Sequence, residues 1–256
     1  MMETVRRGRP LIHHITNYVT VNDCANITLC AGGSPVMADS DDDIPGMVRH
    51  ASAVVLNIGT LNERTVDSMI LAGQCANRLK IPVILDPVGA GATRYRTETA
   101  KWIIDEITVD VIKGNAGEIA TLADMGGEVR GVDSITKIGA RAAESLADST
   151  EAVVGMTGET DFVSDGESTY CLKNGCPMME RISGTGCMLS SVVACYAGAN
   201  GVSAETVASA ITVFNIAAEI ASVYSKGPGT FKPALMDSLH NLKADDIDQM
   251  IRVDLI

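Results

Sequence analysis

The chain has 256 residues, of which 46% are hydrophobic and only 4% aromatic, and a formal net charge of −12. That length suits one large α/β domain burying about 75% of its unfolded surface around Ala, Val, Ile, Leu and Met. The acidic balance argues against nucleic acid and anionic membranes, which demand clustered Lys and Arg.

Read in chain order, the N-terminal stretch MMETVRRGRPLIHHITNY lacks the sustained apolar segment of a secretory signal. Adjacent His13 and His14 point in different directions in regular structure, so they do not chelate as an i,i+4 pair does. Thr20–Ala31 reads as a helix ended by Gly32-Gly33. Pro35–Met37 reads as a strand. The acidic run Asp39 and Asp41–Asp43 before Pro45 reads as a solvated loop capping a short helix. Ala53–Ile58, Val83–Leu85, Val109–Ile112 and Ala152–Met156 are short β-prone runs, several apolar on both faces, as buried parallel strands are. Between them lie helical stretches at Glu63–Leu79, at Ala116–Met125 with a C-cap at Gly126-Gly127, and at Ser134–Ala147 led by a capping serine. Such alternation predicts right-handed βαβ units around a parallel sheet. Phe162–Leu172, with its Asp165-Gly166 turn, predicts an antiparallel hairpin on one edge. Gly186–Ala197 and Ala204–Ser225 read as helices, the second capped by Ser203 with Glu205 in its first turn. No apolar run suggests a membrane span, and no boundary divides residues 1–256 into two domains. The seven cysteines form no C-x-x-C pair, which points to free thiols in a reducing cytoplasm.

Ligands of open parallel sheets sit beyond the carboxyl ends of the strands. The predicted strands are followed there by Gly59-Thr60, by Asp86-Pro-Val-Gly-Ala-Gly91, by Lys113-Gly-Asn115 and by Thr157-Gly158. Strand-to-helix turns call for Gly and Asn in any case, but several clusters fall on one edge. A further turn, SGTGC at 183–187, places Gly184 and Gly186 before a helix. Glycines admit close backbone approach, and free N–H groups at a helix start form a nest for a phosphoryl group. The chain has no G-x-x-x-x-G-K-[ST] P-loop and no protein-kinase signature set.

Cys187 sits in the first turn of that helix, where the field favours the thiolate form of a thiol. Its alternative is a small core residue, the usual state of a free cysteine. Asp86 is either a metal ligand or a turn acceptor. Glu118, three residues after Asn115, has capping-box spacing, and a ligand role is compatible with it.

Together these pieces resemble the hydroxyethylthiazole kinase family of the ribokinase-like superfamily. The matching stretches are HHITNYVTVNDCAN (13–26), GGSPVMA (32–38), NIGT (57–60), ILDPVGAGAT (84–93), IKGNAGEI (112–119), VGMTGETDFVSDG (154–166), SGTGC (183–187) and GPGTFKPALMDSLH (227–240). The resemblance implies a mostly parallel sheet flanked by helices on both faces. It implies an ATP-dependent kinase, assisted by Mg²⁺, that phosphorylates the primary hydroxyl of 4-methyl-5-(2-hydroxyethyl)thiazole in thiamine salvage. It further implies a homotrimer with active sites at subunit boundaries. By motif position Met37 and Gly184 contact the thiazole, with Asn17 of a neighbouring subunit and the Gly59-Thr60 turn as further candidates. Lys113, Asn115 and Thr157 fall at the ATP, Asp86 and Glu118 at the metal, and Cys187 with Gly184 and Gly186 at the reacting group. Cys187 occupies the place where most ribokinase relatives carry an aspartate base. Lys113 stands where the family commonly carries Arg, keeping the charge without the planar fork. The rivals are hydroxymethylpyrimidine kinase and ATP-dependent NAD(P)H-hydrate dehydratase, both of which usually keep that aspartate, and a nucleotide-binding regulator without catalysis.

Overall fold

The computed structural model of the chain describes residues 1–125 and 135–256. Nine strands form one sheet: β1 Leu11–Ile15, β2 Ser34–Val36, β3 Ala53–Asn57, β4 Val83–Asp86, β5 Val111–Asn115, β6 Val153–Thr157, β7 Asp161–Ser164, β8 Thr169–Leu172 and β9 Val253–Leu255. Their order is β2-β1-β3-β4-β5-β6-β7-β8-β9. The pairs from β2 through β6 are parallel and those from β6 through β9 antiparallel. The described helices are α1 Met2–Gly8, α2 Val21–Ala31, α3 Ile44–Val48, α4 Glu63–Leu79, α5 Arg94–Glu106, α6 Ala116–Leu122, α7 Ile135–Thr150, α8 Thr185–Asn200, α9 Ala204–Tyr224, α10 Pro228–Asn241 and α11 Ala244–Met250.

Side chains alternate across each strand, so the sheet has two apolar faces. On one, Ile12, Val55, Ile84 and Val111 pack with α1, α2, α8, α9 and α10 through Val5, Ile27, Val192, Phe214 and Leu235. On the other, Val54, Leu56, Leu85 and Ile112 pack with α3 to α7 through Ile44, Met69, Ile103, Ile119 and Leu146. This is the expected helix–sheet–helix sandwich. α9 is long and apolar enough to cross a membrane by length and composition, but most of it is buried in the core.

Several boundaries differ from the sequence reading. β5 runs to Asn115, so Lys113-Gly-Asn115 lies within a strand and not after it. Its pairing with β6 continues through Lys113↔Gly155 and Asn115↔Thr157, and ladder bonds do not depend on apolar side chains. α6 ends at Leu122, because Asp124 takes a left-handed φ of 56° and Met125 N–H donates back to Ala120 O at 2.8 Å. That is the αL ending usual for glycine, here with an aspartate. The expected Gly126-Gly127 cap and the Ser134 cap lie outside the described residues. The acidic run does not cap α3: Asp43 makes no side-chain cap bond. Instead Asp39 pairs with Arg64 at 2.7 Å and Asp41 accepts from Ser68 at 2.9 Å, both on α4. The hairpin forms at Asp165-Gly166 as expected, but β9 covers its outer strand. β1, α1, α5, α10, α11 and β9 go beyond the sequence reading. β1 escaped because two of its five residues are histidines, both buried.

Candidate active site

The parallel strands run outward in both directions from β1 and β3: β1 leads to β2 on one side, and β3 leads to β4, β5 and β6 on the other. Carboxyl ends at such a switch point leave a crevice. Asn17 follows β1 there and Asn57 ends β3. Next to them stand Asp86 at the end of β4 and Lys113 on β5. The N-terminus of α8 closes the crevice from one face.

Cys187 lies at the centre of a buried amide network. Asn17 Nδ2 and Asn57 Nδ2 each stand 3.3 Å from its sulfur, so Asn17 meets the thiol of its own chain and not, as the resemblance implies, the site of a neighbouring subunit. Both amide orientations are pinned by backbone donors, since Thr20 N–H donates to Asn17 Oδ1 at 3.0 Å and Gly59 N–H to Asn57 Oδ1 at 2.9 Å. Asn17 Nδ2 also donates to Asn57 Oδ1 at 2.9 Å. The sulfur is therefore placed as an acceptor. Asn57 Nδ2 reaches Asp86 Oδ2 as well, at 2.9 Å, so one side chain joins the thiol to the carboxylate.

Asp86 and Lys113 form a buried ion pair at 3.6 Å, with side chains 2% and 3% exposed. The ammonium donates to Gly186 O at 3.1 Å, which holds the glycine turn down onto β5. Burial pulls the ammonium down, but Asp86, Glu118 and Cys187 outweigh it, so it lies above the ordinary lysine value. Ser190 donates to Asp86 Oδ2 at 2.7 Å from α8.

Glu118 makes the capping box with Asn115: its Oε2 accepts from Asn115 N–H at 2.7 Å, while Asn115 Oδ1 accepts from Glu118 N–H at 2.9 Å. Its Oε1 accepts from Gly89 N–H at 2.8 Å. Burial raises its carboxyl, and the two amides offset part of that rise. Among the described residues no group of three or more His, Cys, Asp or Glu is placed to hold a metal. Two carboxylates remain, a donor set that suits Mg²⁺, which keeps several waters and borrows phosphate oxygens.

Gly184 is the N-cap of α8 with φ of 93°, and a Cβ there would stand 2.6 Å from Thr20 Cγ2. Glycine is thus required by backbone angle and by space. Thr60 accepts from Tyr18 N–H at 3.2 Å, tying the turn after β3 to that after β1. Thr157 donates to Gly114 O at 3.3 Å. Met37 follows β2 at the sheet's outer edge, half-buried, and no hydrogen bond links it to the thiol network. His13 and His14 turn to different protein partners. His13 Nε2 meets Ala38 O at 2.7 Å, and His14 Nε2 meets Ser191 Oγ at 3.0 Å. Burial lowers His14 to about 4.

Four residues went unassigned in the sequence: Asn57, Ser190, Arg96 and Asp161. Asn57 carried a signal, as a polar residue ending an all-apolar strand. Asp161 did not, since its carboxylate draws meaning only from distant partners. It accepts from Gly158 N–H at 2.8 Å and from Asn215 Nδ2 at 2.6 Å, and burial lifts it to about 6.

The model of the hydroxyethylthiazole kinase family matches residues 2–245. The chain is 52% identical over 255 residues to a hydroxyethylthiazole kinase of Methanocella arvoryzae, covering 99% of this chain and 96% of that one. The solved structure of a hydroxyethylthiazole kinase protein from Pyrococcus horikoshii superposes with a TM-score of 0.94 at 37% identity, over 100% of this chain and 97% of the other. A ribokinase-like superfamily protein from Enterococcus faecalis shares the fold alone, with a TM-score of 0.65 at 12% identity over 93% of this chain and 94% of its own. The fold is ribokinase-like, and the chain belongs to the hydroxyethylthiazole kinase family.

Proposed function

We propose that this protein transfers the γ-phosphoryl group of ATP to the primary hydroxyl of 4-methyl-5-(2-hydroxyethyl)thiazole, a step of thiamine salvage, with residues 1–256 acting as one kinase domain. The strongest support is that the family match spans every residue of the cluster around Cys187. The cluster suits the chemistry. Phosphoryl transfer asks mainly for alignment and neutralisation of charge. Free N–H groups at the start of α8, behind Gly184 and Gly186, face a migrating phosphoryl group with the positive end of the helix. Lys113 adds a fixed cation beneath that turn.

Cys187 accepts the hydroxyl of the alcohol and takes its proton late, since a loose transition state asks little of a base. The thiol also leaves a less polar wall beside an aromatic ring than a carboxylate would. Met37, Gly184, Asn17 and the Gly59-Thr60 turn form the thiazole side. Lys113, Asn115 and Thr157 form the nucleotide side. Asp86 and Glu118 would hold Mg²⁺, which supplies charge neutralisation at the phosphates when bound.

A homotrimer with sites at subunit boundaries completes the reading. Tyr18 and Val19, exposed directly beside Asn17, support an interface at the site. Light scattering after gel filtration measures the assembly. A coupled ADP-release assay with the thiazole alcohol and the hydroxymethyl pyrimidine side by side tests the activity. Thiazole-dependent ADP supports the reading. ADP with the pyrimidine only, or with neither, overturns it.

A further inference from the structure

Arg96 lies in the first turn of α5, away from the thiol network, and its side chain is half-buried. Its guanidinium donates to three backbone carbonyls. Nη1 reaches Ile58 O at 2.9 Å and Val88 O at 2.8 Å, and Nη2 reaches Gly59 O at 2.9 Å. Two of these acceptors belong to the turn after β3 and one to the loop after β4. A planar fork with donors fixed in direction suits three carbonyls on two separate segments, and no other side chain supplies it.

The loop is shaped around this side chain. Gly89 has φ of 80°, and a Cβ on it would stand 2.8 Å from Arg96 Cδ. The same Gly89 offers its N–H to Glu118 Oε1 at 2.8 Å. Asp86 lies two residues before Val88, and Val88 N–H closes back onto Asp86 O at 2.9 Å. On the other segment Gly59 N–H holds Asn57 Oδ1 at 2.9 Å, and Asn57 in turn holds Cys187 and Asp86. One guanidinium therefore sets the spacing between the Gly59-Thr60 turn and the loop carrying Asp86 and Gly89.

We propose that Arg96 is a positioning residue that locks the turn on the alcohol side to the loop on the metal side. The assignment of those two sides rests on the function proposed above; the lock itself does not. Hydrogen–deuterium exchange on the wild-type chain, Arg96→Lys and Arg96→Ala, together with steady-state kinetics, tests it. In Arg96→Ala, exchange accelerates about tenfold or more at residues 57–60 and 87–91, the scale of losing hydrogen bonds to a charged donor. Residues 157–160 keep their wild-type rate. KM for the thiazole alcohol and the Mg²⁺ concentration at half-maximal rate both rise, while KM for ATP at saturating Mg²⁺ stays. Arg96→Lys, with one point-like donor group, falls between. A merely structural residue would lower the active fraction, and so kcat, without moving either constant. Exchange that is unchanged, or that accelerates equally in all loops including 157–160, overturns the proposal. Local acceleration in a chain whose wild type releases no ADP with the thiazole alcohol sinks the proposed function and leaves the lock standing.

Discussion

Ser190, in the second turn of α8, donates its hydroxyl to Asp86 Oδ2 at 2.7 Å. The same oxygen receives Asn57 at 2.9 Å and faces Lys113 at 3.6 Å. Among the described residues no hydrogen bond reaches Oδ1. The carboxylate thus turns one oxygen to the protein, and the proposed function asks the other to serve the metal. Asp86→Asn should lower kcat by about 10²–10³-fold, with a smaller effect on thiazole binding. Ser190→Ala should lower it by about tenfold, because Asn57 and Lys113 still hold the carboxylate. Kinetics across a Mg²⁺ titration decide, and a wild-type rate and Mg²⁺ dependence in Asp86→Asn would remove Asp86 from the mechanism.

Cys187→Ser tests the thiol. The amides of Asn17 and Asn57 stand 3.3 Å from a sulfur, and a smaller oxygen on a shorter bond no longer meets both. Turnover should fall about 10²-fold, within the range for a general base, and KM for the thiazole should rise. If neither constant moves, the thiol is not the group that takes the proton, nor the wall of the pocket.

Lys113→Ala leaves the buried carboxylate of Asp86 without its cation. Removal of one partner of a buried pair is worth about 3–5 kcal/mol of destabilisation. ATP affinity should weaken as well. Urea denaturation and calorimetric titration with ATP measure the two effects separately, and unaltered ATP binding refutes the nucleotide role.

Asp161 makes stability depend on pH. Burial raises its carboxyl from 3.8 to about 6. Below 3.8 the group is protonated in both states. As pH climbs, the unfolded chain ionises first and the folded chain only near 6, so stability falls across that window and then levels. The drop is roughly 3 kcal/mol. Asp161→Asn removes that slope. The stability of wild type relative to the variant should therefore decline between pH 4 and pH 7; a pH-independent difference would show that Asp161 does not titrate in this range.

Gly184→Ala should destabilise by about 1–3 kcal/mol, because φ of 93° is strained for any side chain. Thr20→Ala removes the methyl that a Cβ would meet at 2.6 Å, yet the backbone strain persists. The double variant should recover only part of the loss in thermal denaturation.

Much of this architecture was legible in the sequence because the information is local. Apolar runs such as Val54–Leu56 and Ile84–Leu85, the capping box from Asn115 to Glu118, and the Asp165-Gly166 turn each declare themselves within a few residues. The glycine turn and its cysteine were visible for the same reason. What stayed hidden is long-range. Ser190 and Asp86 are 104 residues apart, Asn57 and Cys187 130, and Asp161 and Asn215 54. A serine inside a helix or an asparagine ending a strand has no stated partner until the sheet is assembled. β1 and Lys113 were masked differently: polar side chains sit in buried strands because hydrogen bonds and an ion pair engage most of their polar atoms, His13 Nδ1 excepted.

Arg6, in α1, donates to the carbonyls of Leu239, His240 and Leu242 at 2.8–3.2 Å. These bonds span 233 to 236 residues of sequence, so a single guanidinium joins the two ends of the described chain without a covalent crosslink. Fraying at the end of α10 removes the acceptors of α1, and fraying of α1 leaves those carbonyls without their donor, so the two ends loosen together.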